Sequence, residues 1–370
     1  MYHLPRIQHE GLKEVTHGEY TLVRYIKPLQ DPALSAYRSV VYKGNQLVAF
    51  SPPKSIPFQD FCTTTHHESA VAREFVDGTM LYVWFDQNWH VSTRSCLHAD
   101  KIFRRGADPV PRIDLPILLN DPPTPQELFA AYVAKYDEAY PEATFYNSLR
   151  RDCTYVFSLL DPSSFNVVKP TALEVYLVSV YRITTGNMVD PVELDQIYPE
   201  LKVSKVRVFL FDHYLELQQQ VEQRPFEFKG FMFYNKTTGQ RSKVMNPAYL
   251  NVHVVLSAKP NFNEIMLEHV LAKTENKIVA LNESFVEHAN ALKRNLARFI
   301  NTLYTNYIEC FVRKEKAHKD YNAPYRVHLY ALHGMYLQMR HVSIRINKKI
   351  VTDYVWGLKA CELTHALAVH

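Results

Sequence analysis

The hydrophobic pattern of this 370-residue chain changes period once, near Ala258-Lys-Pro260, and that change does most to limit the fold. Before it, apolar residues alternate, as in Leu81-Tyr-Val-Trp-Phe85 and Phe231-Met-Phe-Tyr234. Alternation of this kind marks strands with one face turned to a core. After it, Ile278, Leu281, Phe285, Ala289, Leu292, Leu296, Phe299 and Leu303 recur at steps of three or four, and Pro324 stands as the one later proline beyond residue 260. Those steps trace one face of a helix. The expected class is therefore α+β, with a strand-rich domain over 1–258 and an all-helical domain over 259–370. Length alone already suits two domains. In the first domain Thr124-Pro125-Gln-Glu127 predicts a capped helix to about Tyr140, after a proline-rich connector over 115–125. Short helices are expected over 191–197 and 213–223, and a strand over 206–211. A closing hairpin pairs 228–234 with 242–256 across a turn at 236–239. The helical domain should hold a long helix over 274–313 and two more over 325–338 and 354–368.

Within the strand-rich part, six segments follow one another in a telling order. Arg38-Ser-Val-Val-Tyr42 leads to Phe50-Ser-Pro-Pro-Lys54. Next come Phe75-Val-Asp77-Gly78 with the hairpin behind it, closing on Thr93-Arg94-Ser95. Tyr155-Val-Phe157-Ser158 precedes Asn166-Val-Val168, and Val175 to Tyr181 reads as a strand. Phe228-Lys229-Gly230-Phe231 and Ser242-Lys243-Val244-Met245, with Tyr249 behind, complete the series. In this order the segments resemble the motifs of phage-type RNA ligases, covalent nucleotidyltransferases that rejoin RNA breaks. The resemblance covers about the first two thirds of the chain. It implies the ligase and capping-enzyme fold, antiparallel sheets packed face to face with flanking helices, followed by a helical C-terminal extension.

The chain departs from that family at the reacting positions. Phe75 stands where the resemblance places the nucleophilic lysine, and a phenyl ring has no lone pair with which to attack phosphorus. Ser158 and Lys229 stand where carboxylates are implied, and Met245 replaces the second of two lysines. Mg²⁺ seeks carboxylate, water and phosphate oxygens, so Lys229 would repel it. Glu227 is a possible substitute carboxylate, reached through a register shift. No metal site, no cofactor and no catalytic residue are expected. By the same resemblance Arg38 and Lys54 match positions that touch the outer phosphates of ATP, Arg94 matches a basic residue just after the nucleophile hairpin, and Lys243 matches the first of the two lysines. With Lys229 these cations are expected to line a carboxylate-free anion groove, the alternative being ordinary surface cations.

Composition narrows the field further. Hydrophobic residues make up 47% and charged ones 22%, which describes a globular core rather than a disordered chain. No Gly-x-x-x-x-Gly-Lys-Ser/Thr occurs, so a P-loop enzyme is excluded, and no Gly-x-Ser-x-Gly suggests a serine hydrolase. The net charge of +4 falls short of a dedicated nucleic-acid coat. Five cysteines, widely spaced and odd in number, argue against a disulfide framework and fit a reducing compartment, cytoplasmic or nuclear, or a virion. The N-terminus carries no signal-like apolar stretch, and no apolar run is long enough to span a membrane.

His66-His67-Glu68 offers metal-ligand types, but a strand would turn neighbours to opposite faces, so a solvated loop is expected. His98 with Asp100 is too few ligands, and nothing activates Cys96. The basic run Arg313 to Lys319 reads as a solvated helix end. Three functions remain open. The first is a pseudoenzyme in a structural or scaffolding role, plausibly viral, with protein partners in an assembly. The second is a non-catalytic module binding RNA or a nucleotide. The third is a ligase with another nucleophile, Lys54 or Lys43.

Overall fold

The computed structural model describes residues 2–100, 123–162, 167–168, 170–197, 199–257, 262–280, 285–342 and 345–367. The described residues form an α+β protein of antiparallel sheets followed by helices. In chain order the strands are β1 (Tyr2–His3), β2 (Leu12–His17), β3 (Tyr20–Tyr25), β4 (Val40–Lys43) and β5 (Gln46–Phe50). They continue with β6 (Ala70–Glu74), β7 (Thr79–Asp86), β8 (Asn88–Ser92), β9 (Cys153–Leu160) and β10 (Glu174–Thr184). The last are β11 (Met188–Val192), β12 (Ser204–Lys205), β13 (Val208–Phe209), β14 (Gly230–Asn235) and β15 (Arg241–Met245).

Three sheets result. The largest runs β1-β11-β10-β9-β7-β8, with β12 added parallel to β10. The second is β2-β3-β4-β5 and the third β13-β6-β14-β15. Period-two patterning assigns the faces. Leu81, Val83, Tyr155 and Phe157 meet Phe129, Val133 and Tyr136 of helix α2 (Pro125–Ala139), while Tyr82, Val156 and Tyr181 pack against Val23, Val40 and Phe50 of the second sheet. Phe231 and Phe233 turn the other way in the third sheet, onto Phe61 of α1 (Phe58–Thr64) and Leu217 and Val221 of α3 (Tyr214–Glu222). That leaves the opposite face of β6, β14 and β15, carrying Arg73, Tyr234, Arg241 and Lys243, for other partners.

The chain divides into two compact units, one holding Met1–Phe103 with Pro122–His253 and a second that takes in Val254–His370. The division falls five residues before the expected boundary, inside helix α4 (Pro247–Ser257). That helix replaces the strand expected over 246–256. Asn246 starts it: the Asn246 side chain accepts from the Ala248 N–H at 2.9 Å, and Pro247 occupies the first turn. Of the helix expected over 191–197, Leu194–Gln196 forms as a 3-10 turn, while Pro191 and Val192 end β11, which pairs with β10, Val180 opposite Val192. Helix α1 was not anticipated. The connector over 115–125 lies largely outside the described residues.

In the second unit the helices are α5 (Phe262–Leu271), α6 (Glu275–Val279), α7 (Phe285–Tyr307), α8 (Ala323–Met339), α9 (Lys348–Trp356) and α10 (Ala360–Leu367). The expected stripe is buried along α6 and α7 from Ile278 to Leu303, Leu281 lying outside the described residues. Phe299 stacks on Tyr325 of α8 at 5.2 Å. The single long helix of the sequence reading is instead α6, α7 and a π-helical segment Ile308–Arg313 that ends at Lys314 in the left-handed region. The 354–368 helix is two helices broken at Gly357. No helix of the described residues is long and apolar enough to cross a membrane.

Candidate functional site

The Phe75–Gly78 segment links β6 to β7 and is held by two close approaches. A Cβ at Gly78 would lie 2.6 Å from the Leu159 carbonyl and from Ser158 Oγ, so only glycine lets this turn touch β9. Gly230 has φ +146°, and a Cβ there would lie 2.2 Å from the Val244 carbonyl. The Phe75 N–H donates to the Gly230 carbonyl at 2.9 Å, tying the end of β6 to the start of β14.

Asp77 follows, 9% exposed. Its Oδ1 accepts from Lys229 Nζ and from the Tyr249 hydroxyl, both at 2.9 Å. Lys229 Nζ also lies 4.1 Å from the centre of the Phe75 ring, and Lys243 Nζ lies 5.9 Å from it. The ring thus offers its negative face to two ammonium groups. Lys229, Asp77 and Tyr249 satisfy one another beside the Phe75 ring. Ser158 Oγ is buried beside the turn and has no hydrogen-bond partner among the described residues.

Around this closed centre lies an excess of positive charge. Burial, followed by Lys229, Arg241 and Arg38, pushes the Lys243 ammonium below its usual pKa. Arg241 is lowered by burial and then by Arg38. Burial, then Arg94, Arg38 and Arg24, lowers Lys27. Arg94 is lowered mainly by burial; Tyr25, on whose ring the guanidinium lies at 4.9 Å, opposes this, and Arg38 and Arg24 add to it. Arg94 Nε and Nη2 and Arg24 Nε are buried without hydrogen-bond partners among the described residues. Arg38 is the common neighbour of both sets. Like charges therefore converge here; among the described residues Asp77 is the one carboxylate bonded at the centre, and it is already taken by Lys229.

Of the residues named from sequence, Arg38, Arg94, Lys243 and Lys229 are brought into this region, and Phe75, Ser158 and Met245 flank it. Three expectations change. Lys229 is ion-paired, so the groove is not carboxylate-free. Lys54 is exposed, and no described interaction of its ammonium connects it to the cluster. Glu227 is exposed ahead of β14 and supplies no substitute carboxylate. Lys43 points elsewhere, bonded to Asp86 at 3.0 Å and Glu19 at 3.3 Å. Its ammonium is held above the usual range, chiefly by the hydrogen bond to Asp86, the reverse of nucleophile activation. Arg24, Lys27 and Arg241 went unrecognised, since isolated basic residues on alternating strands give no signal until pairing brings them together.

His66, His67 and Glu68 do converge, their ligand atoms lying within 4.8 Å of one another. The strand argument against them fails because His67–Ser69 is a 3-10 turn, but the side chains of His66 and Glu68 are mostly in solvent, 67% and 78% exposed. His98 packs edge-on against His17, and Asp100 instead accepts from the Cys96 thiol at 2.8 Å.

No protein-family model matches the chain, and no curated protein matches it. Among solved structures, an archaeal ATP-dependent RNA ligase is similar with a TM-score of 0.42 and 11% identity, over 77% of this chain and 72% of that one. A putative ATP-dependent DNA ligase from Aquifex aeolicus gives 0.40 and 10%, over 80% and 78%. A Naegleria gruberi RNA ligase with PPi gives 0.39 and 15%, over 62% and 65%.

Proposed function

We propose that this chain is a ligase-type nucleotidyltransferase relative that has lost its covalent chemistry and binds the phosphates of RNA or a nucleotide without reacting with them. One observation carries the reading: Arg24, Arg38 and Arg94 are gathered, partly buried, beside the exposed Lys27, with donor groups of Arg24 and Arg94 left unused. Like charges held together out of water raise the free energy of the empty site, and a polyanion lowers it. Loss of chemistry is supported by Phe75 at the nucleophile position and by the Lys229–Asp77–Tyr249 contacts that fill the space before it.

Two assays test this. Incubation with radiolabelled ATP or GTP and Mg²⁺ is expected to leave no label on the protein. A phosphoramide on Lys243, the lysine of the centre whose pKa is lowered, would overturn the non-catalytic half. Single-stranded RNA binding should fall with salt at a slope near −2.8 on log axes for four neutralised phosphates, about −0.7 for each. Arg38→Ala and Arg94→Ala should each flatten it by about 0.7; an unchanged slope would remove this cluster from the account.

A scaffolding role is a second reading, favoured by helix α8. Val327, Tyr330 and Leu337 are exposed on it at 68%, 65% and 49%, while Tyr325, Leu329 and Leu332 fill its buried side. A helix apolar on both sides suits a protein contact. Under this reading RNA binding is absent and the protein purifies with a stoichiometric partner.

A further inference from the structure

A small cleft lies between the β10–β11 part of the largest sheet and the β6–β14 pair. Arg73 lines it and is 8% exposed. One terminal nitrogen of Arg73 donates to the Val178 carbonyl at 3.2 Å, and the guanidinium lies over the Tyr234 ring at 4.9 Å. Arg73 Nε has no acceptor, and the Tyr234 hydroxyl, on a residue 7% exposed that also lines the cleft, has no partner. No carboxylate pairs with Arg73 among the described residues.

A guanidinium removed from water normally keeps a counter-ion, because a carbonyl and an aromatic face replace only part of its hydration. Here a fixed positive charge and an unused N–H share a cleft with an unused phenol. The planar fork of arginine matches the oxygens of an oxyanion better than a spherical halide. Lys236, at the mouth, adds a charge while donating to the Glu68 carbonyl at 3.2 Å; Glu193, also lining the cleft and exposed, opposes an anion. We propose that this cleft binds a phosphate-class oxyanion, with Arg73 and Tyr234 donating to its oxygens. The proposal does not rest on the ligase reading, since none of the cations invoked there lines this cleft.

The test is thermal denaturation of the full chain titrated with inorganic phosphate, against chloride at matched ionic strength. It is run in the Arg38→Ala/Arg94→Ala background, which takes two of the four cations out of the other anion cluster. Phosphate should raise Tm in a saturable way, since a ligand of the folded state stabilises it by mass action. Arg73→Gln should weaken the apparent affinity on the order of tenfold or more, as expected for losing a charged donor. Tyr234→Phe should weaken it less, and Glu193→Gln should tighten it. If Arg73→Gln does not fold, the Tyr234→Phe and Glu193→Gln titrations decide. A response absent in the double-alanine background, equalled by chloride, or unmoved by the cleft variants would overturn the proposal.

Discussion

At the residue scale the centre turns on one ion pair. Lys229 holds Asp77 in a pair that both side chains keep mostly out of solvent, 15% and 9% exposed. Breaking a buried pair from one side strands the other charge. Asp77→Asn is therefore expected to destabilise the fold by about 3 kcal/mol, and Asp77→Asn/Lys229→Met by less than the sum of the two single changes, read by urea denaturation. Additivity would show that the pair contributes nothing as a pair. Phe75→Lys alone is expected not to confer nucleotidylation, because the new ammonium would stand beside Lys229 and Lys243 with no carboxylate to spare.

Elements show how far local chemistry was enough. Helix α2 begins where Thr124 and Glu127 say it should. The Glu127 N–H donates to Thr124 Oγ1 at 3.2 Å, and the Thr124 N–H to Glu127 Oε2 at 2.7 Å. Thr124→Ala should cost about 1 kcal/mol by the same denaturation measurement. Gly230→Ala should cost more than about 1 kcal/mol, since its φ and the Val244 carbonyl both exclude a Cβ. By contrast, the helix expected over 191–197 is only the 3-10 turn Leu194–Gln196, because pairing with β10 holds Pro191 and Val192 in β11. Past Met245 the expected strand gives way to α4, which the Asn246-Pro247 start signal opens despite the apolar run behind it.

For the whole molecule, each unit carries a histidine whose burial disfavours its charge. His90 in the first unit stacks on Trp84 at 4.2 Å, and burial holds its pKa below 6.5. His328 in the second bonds the Tyr354 hydroxyl at 2.8 Å and is lowered in the same way. The unfolded chain takes up these protons first as pH falls, so the stability they confer is complete above about 6.5 and is lost on descending through the depressed values. Tm should therefore drop between pH 7.5 and 5.5, and His328→Gln should lessen the drop. A Tm independent of pH across that range would contradict both environments.

What the sequence by itself determined was whatever depends on near neighbours: the switch of period near residue 258, the faces of the strands, the stripe from Ile278 to Leu303 and the cap at Thr124. Tertiary structure alone decided which charges meet. Asp77 and Lys229 are 152 positions apart in the chain yet bonded at 2.9 Å, and Arg24, Arg38 and Arg94 come from three separate segments. Electrostatic energy depends on distance and burial in space, and neither is written in the spacing of residues along a chain.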